Sequence, residues 1–200
     1  MTVKKIFIRT LMSALLLSVI AIQISAQGQK DEKKPDMQKP DEKKLEVLMV
    51  SNEIPKIDGS IAKGEYSLEV DFPKIKVYLT RSDKALYFGI IGDATGWVAI
   101  GLGSTRMNNA KIIMGYVKDA KAVVQEFNGI GHKHDEIDGK ILKNSSLSET
   151  DGKTVFEGEV NPEMILTKDQ DKLDFIVAIS DADNFLGFHK AKAGYSVKLK

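Results

Sequence analysis

From Leu45 onward the chain breaks into short runs of β-type pattern, separated at close intervals by turn residues. Lys118-Asp119, Asn128-Gly129, Asp138-Gly139, Asp151-Gly152 and the stretch 181–184 all carry turn chemistry. Gly, Asn and Asp tolerate the tight or left-handed backbone that chain reversals need. Ile75, Val77 and Leu79 alternate with Lys74, Lys76, Tyr78 and Thr80, the period of a strand with one buried face. The runs 86–91 and 97–102 are apolar on both faces, as in strands covered from both sides. Further strands are expected over 111–118, 121–127, 140–148, 154–160, 172–180 and 194–200. Asn161-Pro162-Glu163-Met164 can begin one short helical turn, with Pro at its first position. The pattern predicts an all-β fold, an antiparallel immunoglobulin-like β-sandwich of about ten strands. No internal repeat divides it.

The N-terminus reads differently. Lys4, Lys5 and Arg9 precede a short apolar core, Leu11 to Ile22, and Ile24-Ser25-Ala26 offers a cleavage site before Gln27. This is the logic of a secretory signal peptide over residues 1–26, and the apolar run is short for a membrane span. No cysteine follows it, so a lipoprotein anchor is excluded. Residues 27–44 repeat Asp-Glu-Lys-Lys at 31–34 and 41–44, with Pro35 and Pro40 between. Such a segment cannot offset its ordering entropy by burial, so a charged disordered linker is expected, followed by a folded domain over 45–200. The protein is expected to be exported, periplasmic or extracellular, with no membrane span after signal cleavage.

Removing residues 1–26 leaves 26 basic against 28 acidic side chains, a formal charge of −2. No concentrated basic face for nucleic acid is implied. With no cysteine, stability must come from the core, which about 150 residues can supply. Covalent haem attachment through Cys-x-x-Cys-His is likewise excluded.

The run Thr95-Gly96-Trp97-Val98-Ala99-Ile100-Gly101-Leu102-Gly103 ends in a glycine-rich turn, and Met107 follows where a polar residue is usual. Phe188-His189-Lys190 lies in a second loop before the last strand. Taken alone, Met107 suits a gap-filling hydrophobe as well as a soft ligand, and His189 suits a solvated loop. His132 and His134 form a His-x-His pair with Asp135 beside it; two imidazoles make half a Zn or Cu site. Trp97, Phe88, Tyr116, Phe127, Phe175, Phe185 and Phe188 could line a flat apolar pocket or be ordinary core. No Ser–His–Asp motif, phosphate-binding glycine loop or cysteine nucleophile is present, so a non-enzymatic module is expected.

Trp97 to Met107, Gly131-His132-Lys133-His134-Asp135, and Gly187-Phe188-His189 with Gly194 together resemble a DOMON domain. Pro55-Lys56-Ile57-Asp58-Gly59-Ser60 with Gly64-Glu65-Tyr66 resembles the opening segment of bacterial members and of carbohydrate-binding modules related to family 9. The resemblance covers about Ile54 to Lys200. It implies a β-sandwich that binds non-covalent haem b or sugar. In haem-binding members it implies Met107 and His189 as the axial iron ligands, a six-coordinate arrangement suited to single-electron transfer with a partner protein. The sandwich is expected to bring both loops to one end. Phe185 and Phe188 are the expected cofactor neighbours, Arg106, Lys190 and Lys192 the cations for its propionates, and His132 a structural residue. The alternatives are a carbohydrate-binding module without haem, and a haem carrier or sensor using the same ligands.

Overall fold

The computed structural model describes residues 45–139 and 141–200. The expected signal peptide (1–26) and linker (27–44) lie outside the described residues, as does Lys140, the first residue of one expected strand. The strands are β1 (Val47–Leu48), β2 (Leu68–Phe72), β3 (Ile75–Arg81), β4 (Leu86–Gly92), β5 (Val98–Leu102) and β6 (Lys111–Lys118), then β7 (Lys121–Ile130), β8 (Lys133–Ile137), β9 (Leu142–Thr150), β10 (Lys153–Val160), β11 (Lys172–Ile179) and β12 (Ala191–Leu199). A 3-10 turn, Pro162–Met164, separates β10 from β11 and is capped by the Asn161 side chain. One sheet has the order β1-β12-β11-β5-β6-β7-β8 and the other β2-β3-β4-β10-β9. Named strands pair antiparallel except the two residues of β1, which run parallel to β12.

The all-β sandwich agrees with the expected class, with twelve strands in place of about ten. β8 escaped the pattern because it is a polar edge strand, Lys-His-Asp-Glu-Ile, with no fully buried residue. β2 buries only Val70 completely, and β1 is two residues long. Asn128-Gly129 is not a turn. β7 runs through it, and Gly131-His132 makes the reversal, with Gly131 at φ 62. A glycine with positive φ at the first of two central positions is the type II′ hairpin choice.

Alternate residues of both sheets meet between the layers. Phe88 and Phe156 stack edge to face with centroids 5.2 Å apart, and Phe175, Leu79, Ile90, Ile100 and Leu102 are fully buried with them. The crossover from β8 to β9 is fixed by buried Glu126, whose carboxylate accepts from the Ile141 and Leu142 N–H groups at 3.0 Å.

Each sheet also has an outer face, and each is covered. Residues 55–66 lie over the five-stranded sheet, where Ile61 and Tyr66 pack on Gly89. Glu157, fully buried on β10, accepts from the N–H groups of Asp58 (3.2 Å), Gly59 (2.7 Å) and Ser60 (3.1 Å) and from the Tyr66 hydroxyl (2.8 Å). Burial pushes the Glu157 carboxyl above its ordinary range, against the pull of the Tyr66, Gly59 and Asp58 hydrogen bonds.

Candidate functional site

The outer face of the seven-stranded sheet carries a second apolar cluster, separate from the inter-sheet core. Period-two alternation makes it: when Ile100, Ile113 and Val177 point inward, their neighbours Ala99, Ile112, Met114, Ile176 and Ala178 point outward. Trp97, Tyr116 and Phe127 complete the floor. This explains why the 97–102 run is apolar on both faces. One face meets the other sheet, and two loops roof the other.

The first roof is loop 103–110, between β5 and β6. Its end is tied to β7: the Asn109 N–H donates to the Gly129 carbonyl, the Gly129 N–H to the Ala110 carbonyl (both 2.9 Å), and the Gly131 N–H to Asn108 Oδ1 (2.8 Å). A Cβ at Gly129 would collide with the Met107 carbonyl oxygen, and one at Gly194 would stand 2.5 Å from the Thr105 carbonyl oxygen. These two glycines let the loop lie flat on the sheet. Met107 is half-buried against the cluster.

The second roof is loop 180–190, between β11 and β12. The Trp97 N–H donates to the Ala182 carbonyl (3.1 Å), the Ser180 N–H to the Trp97 carbonyl (2.9 Å), the Lys190 N–H to the Ile179 carbonyl (2.6 Å), and Ser180 Oγ to the Phe188 carbonyl (2.8 Å). Phe185 drops from this loop onto the cluster, edge to face with Tyr116 (4.9 Å) and Phe127 (5.5 Å).

The loops do not share one end of the sandwich, contrary to the expectation from sequence. Phe175 pairs with Leu102 and Ile179 with Val98. Loop 103–110 therefore leaves one end of the β5–β11 pair and loop 180–190 the other. Both loops reach over the sheet's outer face, where Met107 and Phe185 each pack against the same cluster.

The remaining expected residues fall as follows. His189 is exposed, two residues before β12. Phe188 is 94% exposed and Leu186 91%, an unusual position for two large apolar side chains in one loop. Arg106 is exposed. Lys190 forms an ion pair with Asp181 at 2.9 Å, and that hydrogen bond holds the Asp181 carboxyl below its ordinary value. Lys192 is exposed on β12 opposite Ala178, at the border of the cluster. Phe88 and Phe175 belong to the inter-sheet core. Among the described residues, no three His, Asp or Glu side chains converge to hold a metal ion.

Two features went unread in the sequence. His134 is half-buried with its ring edge-on to Phe127, centroids 4.5 Å apart, so it borders the cluster rather than solvent alone. Trp97 is 5% exposed, and its Nε1–H is buried with no hydrogen-bond partner. A Cβ at Gly187 would stand 3.3 Å from that nitrogen, which places the unpaired donor under the second loop. Such a donor costs about 1–3 kcal/mol. A cleft of about 460 Å³ elsewhere, lined by Arg81, Asp83, Glu163, Thr167 and Lys168 among others, contains none of the expected ligand-binding residues.

The two-layer β-sandwich thus has one outer face floored by aromatics and roofed by two loops, one bearing a thioether and the other an imidazole. The chain belongs to the DOMON domain family, whose model matches residues 73–176. No curated protein matches the sequence significantly. Among solved structures, it is similar to the cytochrome b domain of pyranose dehydrogenase from Coprinopsis cinerea (14% identity, TM-score 0.46, covering 62% of this chain and 76% of that one). It is also similar to a family 9 carbohydrate-binding module from Caldicellulosiruptor kristjanssonii in complex with cellotriose (15%, TM-score 0.44, 78% and 94%). A third is the cytochrome domain of Myriococcum thermophilum cellobiose dehydrogenase (12%, TM-score 0.43, 66% and 81%).

Proposed function

We propose that this domain is an exported, non-covalent haem b module that passes single electrons to or from a partner protein, with Met107 and His189 as the axial ligands. The observation that carries the reading is the packing of Met107 and Phe185 against one apolar cluster, since Phe185 lies on the loop that bears His189. The donor set fits: thioether sulfur and imidazole are both ligands that haem iron takes. The surroundings fit as well. Exposed Leu186 and Phe188 precede His189, the Trp97 indole N–H is unpaired beneath that loop, and both loops rest on apolar floor. Met107 and His189 would hold the iron, Phe185 and Phe188 would lie against the macrocycle, and Arg106 and Lys192 would face its carboxylates. Lys190 suits that role less, being paired with Asp181. When bound, haem supplies a one-electron couple whose potential a thioether ligand raises. The chain's own residues would hold the iron through Met107 and His189 and exclude water with the aromatic floor.

A haem carrier or sensor would use the same residues. A carbohydrate-binding role without haem is the second class, but the chain's one tryptophan is buried and offers no stacking platform. Export rests on the charged, apolar and small-residue order of residues 1–26. N-terminal sequencing of secreted protein should find Gln27 first, and an intact Met1 in the membrane fraction would contradict it.

Reconstitution with hemin tests the assignment. Wild type should give a low-spin six-coordinate spectrum, and Met107→Ala and His189→Ala should each convert it to high spin. Failure of wild type to bind hemin, with binding of cello-oligosaccharide in its place, would favour the sugar reading. Low-spin spectra in both variants would overturn the ligand assignment.

A further inference from the structure

We propose that Met107, His134 and His132 form a soft-metal site that takes Cu(I). The sequence offered only half a site in the His-x-His pair, and the fold supplies a third donor from another loop. Gly129 on β7 pairs directly with His134 on β8. Directly opposed residues of an antiparallel pair project their side chains to the same face, with Cβ positions about 5 Å apart. The Cβ direction of Gly129 is the one that runs into the Met107 carbonyl. His134 therefore projects to the face on which Met107 lies, one cross-strand spacing away. Ring geometry agrees: His134 sits edge-on to Phe127 at 4.5 Å, and Met107 packs against the cluster that includes Phe127.

His132 completes the set. It is the second residue of the hairpin turn, two before His134, and the first turn residue, Gly131, is hydrogen-bonded to Asn108 at 2.8 Å. Asn108 directly follows Met107, so the clamp between 108–110 and 129–131 holds the backbones of all three residues at one corner of the sheet, with His134 half-buried and His132 exposed. Glycine at 129 keeps that corner open for the loop.

Thioether sulfur with imidazole nitrogen is a neutral, soft-to-intermediate set. It suits Cu(I) better than Zn, which favours thiolate, imidazole and carboxylate. The site does not depend on the haem reading, but both use the Met107 sulfur, so Cu(I) fills it only in the haem-free protein.

The test uses the full chain and Cu(I) kept reduced by ascorbate, in competition with a chromophoric Cu(I) chelator. Wild type should retain one equivalent, and Met107→Ala, His134→Ala and His132→Ala should each lower the affinity at least tenfold. His189→Ala should leave it unchanged, and Zn(II) should bind far more weakly. The methionine methyl resonances give a second readout that survives any loss of stability in the His134 variant: on adding Cu(I), Met107 alone among the described methionines should shift strongly. No retained copper, retention undiminished in Met107→Ala or His134→Ala, or loss in His189→Ala would overturn the proposal. Hemin spectra of the same proteins separate the two readings, since His134→Ala should keep the low-spin haem spectrum that His189→Ala loses.

Discussion

The two outer faces of this sandwich are covered in opposite ways. Over the five-stranded sheet, residues 55–66 are fastened by polar bonds: one buried carboxylate, Glu157, receives four hydrogens, and Ser148 Oγ donates to the Gly59 carbonyl at 2.7 Å. Over the seven-stranded sheet, hydrogen bonds pin the ends of the two roof loops, and between those ties the roof rests on aromatic and thioether contacts without a buried polar anchor like Glu157. Beneath it one indole N–H is unpaired, and above it two large apolar side chains stand in solvent. Polar satisfaction fixes one arrangement, because every alternative leaves a buried donor unmet. Apolar contact is non-directional and tolerates rearrangement. The first cover is part of the fold, and the second is where the proposed haem would enter.

The contrast predicts unequal responses to substitution. Glu157→Ala should have the largest effect, at roughly 3–4 kcal/mol, since it leaves the Asp58 and Gly59 N–H groups without an acceptor and strips the Ser60 N–H and the Tyr66 hydroxyl of one of their two. Denaturant unfolding would measure it, and a loss below about 1 kcal/mol would show that the 55–66 segment is not held as described. Gly129→Ala should come next, at roughly 2–3 kcal/mol, because its methyl meets backbone rather than a flexible side chain. It should also abolish Met107-dependent ligand binding.

The pH dependence is subtler. The folded carboxyl of Glu157 lies above its unfolded value because of burial. Its contribution to stability is therefore complete below the unfolded value and lost as pH rises through the folded one. Glu157→Gln should flatten that part of a stability–pH profile, and an unchanged slope would assign it to other groups. The smallest effects belong to the second roof. Trp97→Phe removes an unpaired N–H and should leave stability within about 0.5 kcal/mol of wild type, or slightly raise it. Phe188→Ser, at a side chain already in solvent, should be neutral within about 0.5 kcal/mol while weakening hemin binding. A large stability loss from Phe188→Ser would mean that the loop is packed, not poised.

Most of the sandwich was legible because its central strands obey period two or are apolar throughout: the alternation at 75–80 and the runs at 86–91 and 97–102 became β3, β4 and β5. β8 was not, since an edge strand of Lys, His, Asp and Glu has no apolar face to announce it. Asn128-Gly129 misled for a physical reason. The glycine is there to admit the Met107 carbonyl, a close approach between distant segments that resembles turn chemistry locally. Met107, His189 and Phe185 could be named from their motifs. That Met107 and Phe185 pack against one face, from loops at opposite ends of the sheet, depends on strand register, which no local pattern carries. The roles of His134 and the Trp97 N–H likewise arise only once β7, β8 and the two loops are assembled.

Backbone hydrogen exchange, measured with and without hemin, tests the difference between the two faces most directly. Hemin should slow exchange in 103–110 and 180–190 and leave 55–66, already protected by Glu157, unchanged. Slowing in 55–66 without change in the two loops would contradict the assignment of the seven-stranded sheet's outer face as the ligand site.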